Sequence, residues 1–247
     1  MTVQTSTVDK DEIERFSRIA EEWWDENGKF RPLHRMNPIR LSYIRDRACA
    51  HFGRDAASIA SLSGLSVLDI GCGGGLICEP LARLGAKVTG IDAAEKNIQV
   101  ASLHAEKMGL DIAYRCAAAE ALAGSASFDI VLALEIVEHV ADVPAFLRAV
   151  AALVRPGGLL FMSTLNRSAK SFAMAIVGAE YILRWLPRGT HTWGKFLKPS
   201  ELCAGLRSEE LRIDHMTGMA FNPMNGAWRL DDKDLDVNYL LAATKPA

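Results

Sequence analysis

The chain has 247 residues, which suits one large domain with an insertion as well as two small ones. Hydrophobic residues make up 49% and charged residues 23%, which excludes a mainly disordered chain. With 28 basic against 30 acidic residues the formal charge is −2, so the broad basic field of a nucleic-acid binder is absent and no nucleic-acid partner is expected.

Five cysteines (Cys49, Cys72, Cys78, Cys116 and Cys203) fall at irregular spacing without a C-x-x-C pair, so neither a disulfide framework nor a zinc knuckle is indicated. The opening MTVQTSTVDKDEIERF carries acids and hydroxyls where a signal peptide has an apolar core. No uncharged apolar run reaches the roughly 18 residues of a membrane span. A soluble, cytoplasmic protein is expected.

In chain order, residues 8–27 place Ile13, Phe16, Ile19, Ala20, Trp23 and Trp24 at three- and four-residue steps, which predicts an amphipathic helix with an acidic outer face. The polar, Pro-containing stretch GKFRPLHRMNPIR reads as a loop, followed by a helix from about Leu41 to Phe52. From residue 65 the texture alternates. LSVLDIG, AKVTGID, LDIAYRC, FDIVLALEIV and LLFMSTL read as five strands. Between them LICEPLARLG, AEKNIQVASLHAEKMG and ADVPAFLRAVAALV read as helices, stopped at Gly85, at Gly109 and at the turn Pro156-Gly157-Gly158. The expected fold is α/β, a doubly wound, mostly parallel Rossmann-like sheet with N-terminal helices and a helical insertion after strand five. Residues 199–247 supply a helix with Ser200 as candidate N-cap and two final strands, LRIDHMTG and DVNYLLAATK. The expected organisation is one domain over 1–247: a helical region 8–60, a core 65–165, an insertion 167–198 and a C-terminal completion 199–247.

The strongest chemical signal is Val67-Leu68-Asp69-Ile70-Gly71-Cys72-Gly73-Gly74-Gly75 at the end of the first strand. Glycines there let a ligand approach the backbone, and the following helix offers free N–H groups. The spacing G-x-G-x-G is tighter than the G-x-G-x-x-G of nicotinamide-dependent oxidoreductases, which are the competing class. Asp92, closing the second strand, lies where a carboxylate binds ribose hydroxyls. Cys72 beside the glycines reads as a small packing residue, Trp23 and Trp24 as helix packing, and His34, His51 and His104 as surface residues.

These landmarks, with Pro156-Gly157-Gly158 before the fifth strand, resemble class I S-adenosylmethionine-dependent methyltransferases over about residues 65–165. The resemblance implies that Asp69 lies near the amino acid end of the cofactor, that Gly71 and Gly73 pass beneath it, and that Asp92 holds its ribose. The stretch Cys116–Glu120 departs from the pattern at the adenine position.

A second signal closes strand four: Leu134-Glu135-Ile136-Val137-Glu138-His139. Two carboxylates and an imidazole there could hold a divalent ion or place a base beside the transferred methyl. Mg²⁺ is the expected ion, although a mixed oxygen and nitrogen set also suits Mn²⁺, Fe²⁺ or Zn²⁺.

Further motifs extend the match from about residue 10 to the C-terminus. They include Arg35-Met36-Asn37-Pro38-Ile39-Arg40, Ser163-Thr164-Leu165-Asn166-Arg167, Val177-Gly178-Ala179-Glu180-Tyr181, His215-Met216-Thr217-Gly218 and Asp236-Val237-Asn238-Tyr239. Together they are similar to the family of ubiquinone biosynthesis O-methyltransferases, which act on polyprenylated phenols and catechols. That resemblance implies cofactor contact by Arg40, Gly71, Asp92 and Leu134, and divalent-metal ligation by Glu135, Glu138 and His139. Glu135 and His139 are the catalytic candidates. Substrates of the 2-polyprenyl-6-hydroxyphenol and 3-demethylubiquinol type are implied, as are contacts with other enzymes of the pathway. A methyltransferase of the same fold acting on a soluble molecule is the alternative.

Within the insertion, Phe172, Ile176, Ala179, Leu183 and Leu186 share one helical face, and Met174, Val177, Tyr181 and Trp185 make much of the rest apolar. Arg167, Lys170, Arg188, Lys195 and Lys198 flank it. The segment reads either as a lid or as a peripheral contact with the inner face of a membrane, its basic residues at anionic headgroups.

Overall fold

The computed structural model describes residues 7, 9, 13–14, 20–174, 192–222 and 226–247. Five strands lie parallel: β1 (Ser66–Ile70), β2 (Lys87–Asp92), β3 (Ala113–Cys116), β4 (Phe128–Leu134) and β5 (Val154–Leu165). Three more, β6 (Arg212–Asn222), β7 (Ala227–Asp231) and β8 (Asn238–Thr244), join antiparallel. The sheet order is β3-β2-β1-β4-β5-β8-β6-β7.

The apolar strands divide their side chains by the two-residue period. Leu68, Ile70, Val131, Leu160, Met162 and Leu241 enter one core, and Val67, Ile130, Leu132, Leu159, Phe161 and Leu240 enter the other. Both faces are therefore covered, by the helices α1 (Arg31–His51), α2 (Cys78–Arg83), α3 (Glu95–Lys107), α4 (Ala119–Leu122), α5 (Val143–Leu153) and α6 (Pro199–Ser208). From β1 the chain winds outward to β2 and β3, then returns to place β4 on the other side of β1. The loops leaving β1 and β4 diverge there and open a crevice at the carboxyl edge of the sheet.

Several local expectations change. The helix expected from Leu41 begins ten residues earlier, at Arg31, and runs through Pro38. Pro32 in the first turn forfeits no helical hydrogen bond. Pro38 does, and burial of Met36, Tyr43 and Ile44 against the sheet offsets it. Pro156-Gly157-Gly158 is not a turn between elements but an irregularity inside β5, where pairing skips from Phe128↔Val154 to Ile130↔Leu159. The N-cap of α6 is Lys198 rather than Ser200, because Pro199 starts the helix and the Glu201 carboxylate reaches back to accept from the Lys198 N–H at 3.0 Å. β7 was not foreseen. Of the helix expected over 8–27, residues 8, 10–12 and 15–19 lie outside the described residues, and Ala20–Glu22 is a short 3₁₀ turn; of the insertion 167–198, residues 175–191 lie outside them.

Gly218 in β6 packs against the loop after β7: a Cβ there would meet the backbone oxygen of Asp234 at 1.7 Å. Backbone cannot swing aside as a flexible side chain can. Gly218→Ala should destabilise the fold by about 1–3 kcal/mol, read as a lowered denaturant midpoint, whereas Gly194→Ala, with open space around it, should leave the midpoint within error.

Candidate active site

A cavity of about 540 Å³ occupies the crevice, lined by the ends of β1, β2 and β4, by α1 and by the β6–β7 hairpin. The turn after β1 is held by the Gly71 and Cys72 N–H groups, which donate to the Ile91 carbonyl at 2.8 and 3.0 Å. Gly71 and Gly73 take φ of +72° and +53°, which side chains rarely adopt. The space where each would carry a Cβ is filled by the chain itself. A Cβ at Gly71 would meet Ile136 at 2.9 Å, and one at Gly73 would meet the Trp23 ring at 2.4 Å. These glycines thus serve close packing of the protein as well as the approach to the cavity.

Asp69 is buried and accepts from the Cys78 thiol at 3.2 Å. Burial pushes its carboxyl up to about 7. Asp92 receives the Gly73 N–H on Oδ2 at 3.0 Å, and the Ala94 N–H and Asn97 amide on Oδ1 at 2.8 and 3.1 Å. Burial raises its pKa, and those hydrogen bonds partly offset the rise.

At the end of β4, Glu135 adopts φ +53°, and its N–H donates to the Ser163 carbonyl at 2.9 Å. Its Oε1 accepts from Arg40 Nη2 at 2.5 Å and from the Ser163 hydroxyl at 2.8 Å. Arg40, 3% exposed, also feels the charges of Glu138 and Asp69, and its Nε has no hydrogen-bond partner. Desolvation lowers the guanidinium pKa, and the carboxylates oppose that. Glu138, also 3% exposed, accepts from the Thr164 hydroxyl on Oε2 at 2.8 Å, while its Oε1 is buried without a hydrogen-bond partner. Burial first, and the neighbouring Glu135 second, push Glu138 up to about 7.

The structure therefore brings Arg40, Asp69, Gly71, Gly73, Asp92, Leu134, Glu135, Glu138 and His139 to the lining of one cavity. It does not assemble the expected three-ligand metal set: among the described residues no three His, Cys, Asp or Glu side chains group to hold an ion. Glu135 instead spends its oxygen on Arg40 and Ser163. The donor chemistry and the unpartnered Glu138 oxygen still suit a divalent cation, provided Glu135 turns from Arg40.

Sequence reasoning missed Ser163 and Thr164 as the hydroxyls that orient the two acids, although both stand in a motif it singled out. It also missed that His104 is no free surface residue: its Nδ1 lies 2.6 Å from buried Glu79, and its ring stacks on Trp24 at 3.5 Å.

Comparison with known proteins agrees with this geometry. A family model described as a methyltransferase domain matches residues 68–162. The magnesium protoporphyrin IX methyltransferase of Synechocystis PCC 6803, solved with bound S-adenosylmethionine, shares the fold at TM-score 0.63 and 18% identity, over 98% of this chain and 100% of that one. The 1,6-didemethyltoxoflavin-N1-methyltransferase of Burkholderia thailandensis does so at 0.60 and 18%, over 98% and 93%. Fold, glycine loop and domain match together define an S-adenosylmethionine-dependent methyltransferase of class I. Closer relatives narrow it. The ubiquinone biosynthesis O-methyltransferase of Dinoroseobacter shibae is 57% identical over the full length of both chains, and that of Chelativorans sp. (strain BNC1) is 54% identical over 98% of this chain and 95% of its own. The chain belongs to the ubiquinone biosynthesis O-methyltransferase family.

The raised Asp69 pKa has a thermodynamic consequence. Its folded value of about 7 exceeds the ordinary 3.8, so between those pH values the folded state holds the extra proton, and stability falls as pH rises through that window. Asp69→Asn removes the cost of burying the ionised form. Its melting temperature should exceed that of the wild type most above pH 7 and converge with it near pH 4, as thermal scans across pH would show.

Proposed function

We propose that the chain transfers the methyl group of S-adenosylmethionine to a phenolic oxygen of polyprenylated ubiquinone precursors, of the 2-polyprenyl-6-hydroxyphenol and 3-demethylubiquinol type. The observation that carries this reading is one cavity with two chemistries. Its lining combines the ionisable groups Arg40, Asp69, Asp92, Glu135, Glu138 and His139 with the apolar side chains Met36, Leu165, Phe221 and Trp228. The first suits a sulfonium donor and an acidic phenol, and the second suits an isoprenoid chain.

The cofactor's ribose is held by Asp92, and its amino acid end lies near Asp69 and Arg40, which line the same cavity. The donor is already activated, so the protein's work is to align an in-line attack and to supply a nucleophilic oxygen. A phenol of pKa about 10 is mostly protonated at neutral pH. His139 accepts the phenolic proton, and Glu138, whose carboxyl ionises near neutrality, stabilises the imidazolium. A divalent ion would be held by Glu135, Glu138 and His139 and would supply Lewis-acid stabilisation of the phenolate in place of that proton transfer.

Glu138→Gln preserves shape and removes the charge. It should lower kcat by about a hundredfold while S-adenosylmethionine affinity, measured by calorimetry, stays within about twofold. Retention of wild-type turnover would remove Glu138 from the chemistry. Treatment with a chelator followed by Mg²⁺, Mn²⁺ or Zn²⁺ titration tests the ion: full turnover of the stripped enzyme, with no calorimetric binding of any of the three, would sink the metal reading.

A peripheral place on the cytoplasmic face of a membrane, near other enzymes of the pathway, belongs to the same proposal. Among the described residues no helix is long and apolar enough to cross a membrane. Phe172, Met174 and Trp193 are 46%, 44% and 39% exposed beside the cavity, and Phe172 and Trp193 meet edge to face at 6.2 Å. Three of the five basic residues expected to face headgroups are already engaged: Lys170 bonds Asp234 at 2.8 Å, Lys195 bonds Asp9 at 3.0 Å, and Arg167 pairs with Glu201, while Arg188 lies outside the described residues. Contact then rests on apolar insertion more than on charge. Phe172→Ala plus Trp193→Ala should reduce cosedimentation with vesicles by about tenfold, and added salt should change the wild type little. A steep salt dependence with no effect of the double substitution would reverse that assignment.

A further inference from the structure

The N-terminal segment reaches the cofactor acid through a chain of two side chains. Trp23 Nε1 donates to Asn97 Oδ1 at 2.9 Å, and Asn97 Nδ2 donates to Asp92 Oδ1 at 3.1 Å. Both contacts are made only with the amide in this orientation. Flipped, it would set its oxygen against the Asp92 carboxylate and its NH₂ against the indole N–H. The indole proton therefore decides which end of Asn97 faces Asp92. With Ala94 N–H and Asn97 on Oδ1 and only Gly73 N–H on Oδ2, the carboxylate is fixed in rotation and keeps open accepting capacity on Oδ2.

Trp23 is itself held firmly. Its ring stacks on Phe30 at 3.8 Å and 11°, and it fills the space where Gly73 and Gly74 would carry Cβ atoms. Its neighbour fastens the same loop from the next position, since Trp24 Nε1 donates to the Gly74 carbonyl at 3.0 Å. Trp23 and Asn97 are both buried and both line the cavity.

We infer that Trp23 and Asn97 are positioning residues for Asp92, so that seating of the Trp23 segment on the glycine loop aims the acid at the ribose of S-adenosylmethionine. This rests on the ribose role given to Asp92 above. The relay acts on cofactor binding and leaves the attack on the methyl group to other residues.

A double-mutant cycle tests it, with S-adenosylmethionine affinity measured by calorimetry and steady-state kinetics run beside it. Trp23→Phe removes the donor together with the outer part of the indole that lies over Gly73, and Asn97→Ala removes the link while leaving that packing in place. Each should weaken affinity by about tenfold and raise KM for S-adenosylmethionine in step, with kcat at saturation within about twofold. The combined variant should be no weaker than either single one. Affinity within twofold of wild type in both single variants would overturn the proposal, and so would losses that multiply in the double variant, which mark two independent packing defects. Should Trp23→Phe fail to fold, Asn97→Ala against Asn97→Asp decides, because the second sets a like charge beside Asp92 and should be the weaker binder; equal affinity overturns the relay. Asp92→Asn distinguishes the two levels: unchanged affinity there removes the ribose role itself, whereas a large loss there with none in Trp23→Phe removes only the relay.

Discussion

Arg40 is the charge on which the site is organised. A guanidinium buried to this degree would cost several kcal/mol if left alone, and only opposite charge at close range makes it tolerable. Glu135 meets it directly, and Asp69 and Glu138 surround it. These three acids come from the ends of two adjacent strands, and the cation comes from a helix before the core, so the ion cluster ties the N-terminal region to the carboxyl edge of the sheet. The acids need the cation equally, since without it three carboxyls in one apolar recess could not share it as anions. The raised pKa values of Asp69 and Glu138 show that the compensation is partial. That residual tension gives the cavity groups that change protonation near neutral pH.

The parts of the fold legible in the sequence were those where local pattern and tertiary role coincide. The strands around Leu68, Ile91, Leu132 and Phe161 are apolar on both faces because helices cover both faces, and two of the helices between them stop at Gly85 and Gly109, where the chain turns with positive φ. Asp69 and Asp92 stand out for a related reason: a charged side chain in an otherwise apolar parallel strand is conspicuous by type. Pro38 misled because its local cost is real and the burial that offsets it lies in distant sheet residues. β7 escaped notice because its five residues gain their meaning only from pairing with β6. Ser200 looked like a cap by type, but Pro199 had already set where the helix starts.

The site residues divide in the same way. Glu135, Glu138 and His139 stand out as a cluster of chemical groups within five positions. Their partners do not: Arg40 lies 95 residues from Glu135, and Asn97 lies 74 from Trp23. Sequence spacing carries no trace of such pairs, so Arg40 was placed at the cofactor by likeness alone and its engagement with Glu135 went unseen. Basic residues around the insertion were read as free for headgroups because their acidic partners, Asp9, Glu201 and Asp234, are remote in the chain.

Glu135 occupies a left-handed backbone position that costs a side chain of its kind about 1–3 kcal/mol and would cost glycine almost nothing. The turn leaving β4 is thus held in place partly by what the carboxylate grips, and the backbone left to itself would relax. A glycine at 135 would make a calmer turn and an emptier site: it would free Arg40 of its nearest anion and Ser163 of its acceptor. Position 135 is one where foldability and chemistry ask for different residues, and the chain has settled it in favour of chemistry.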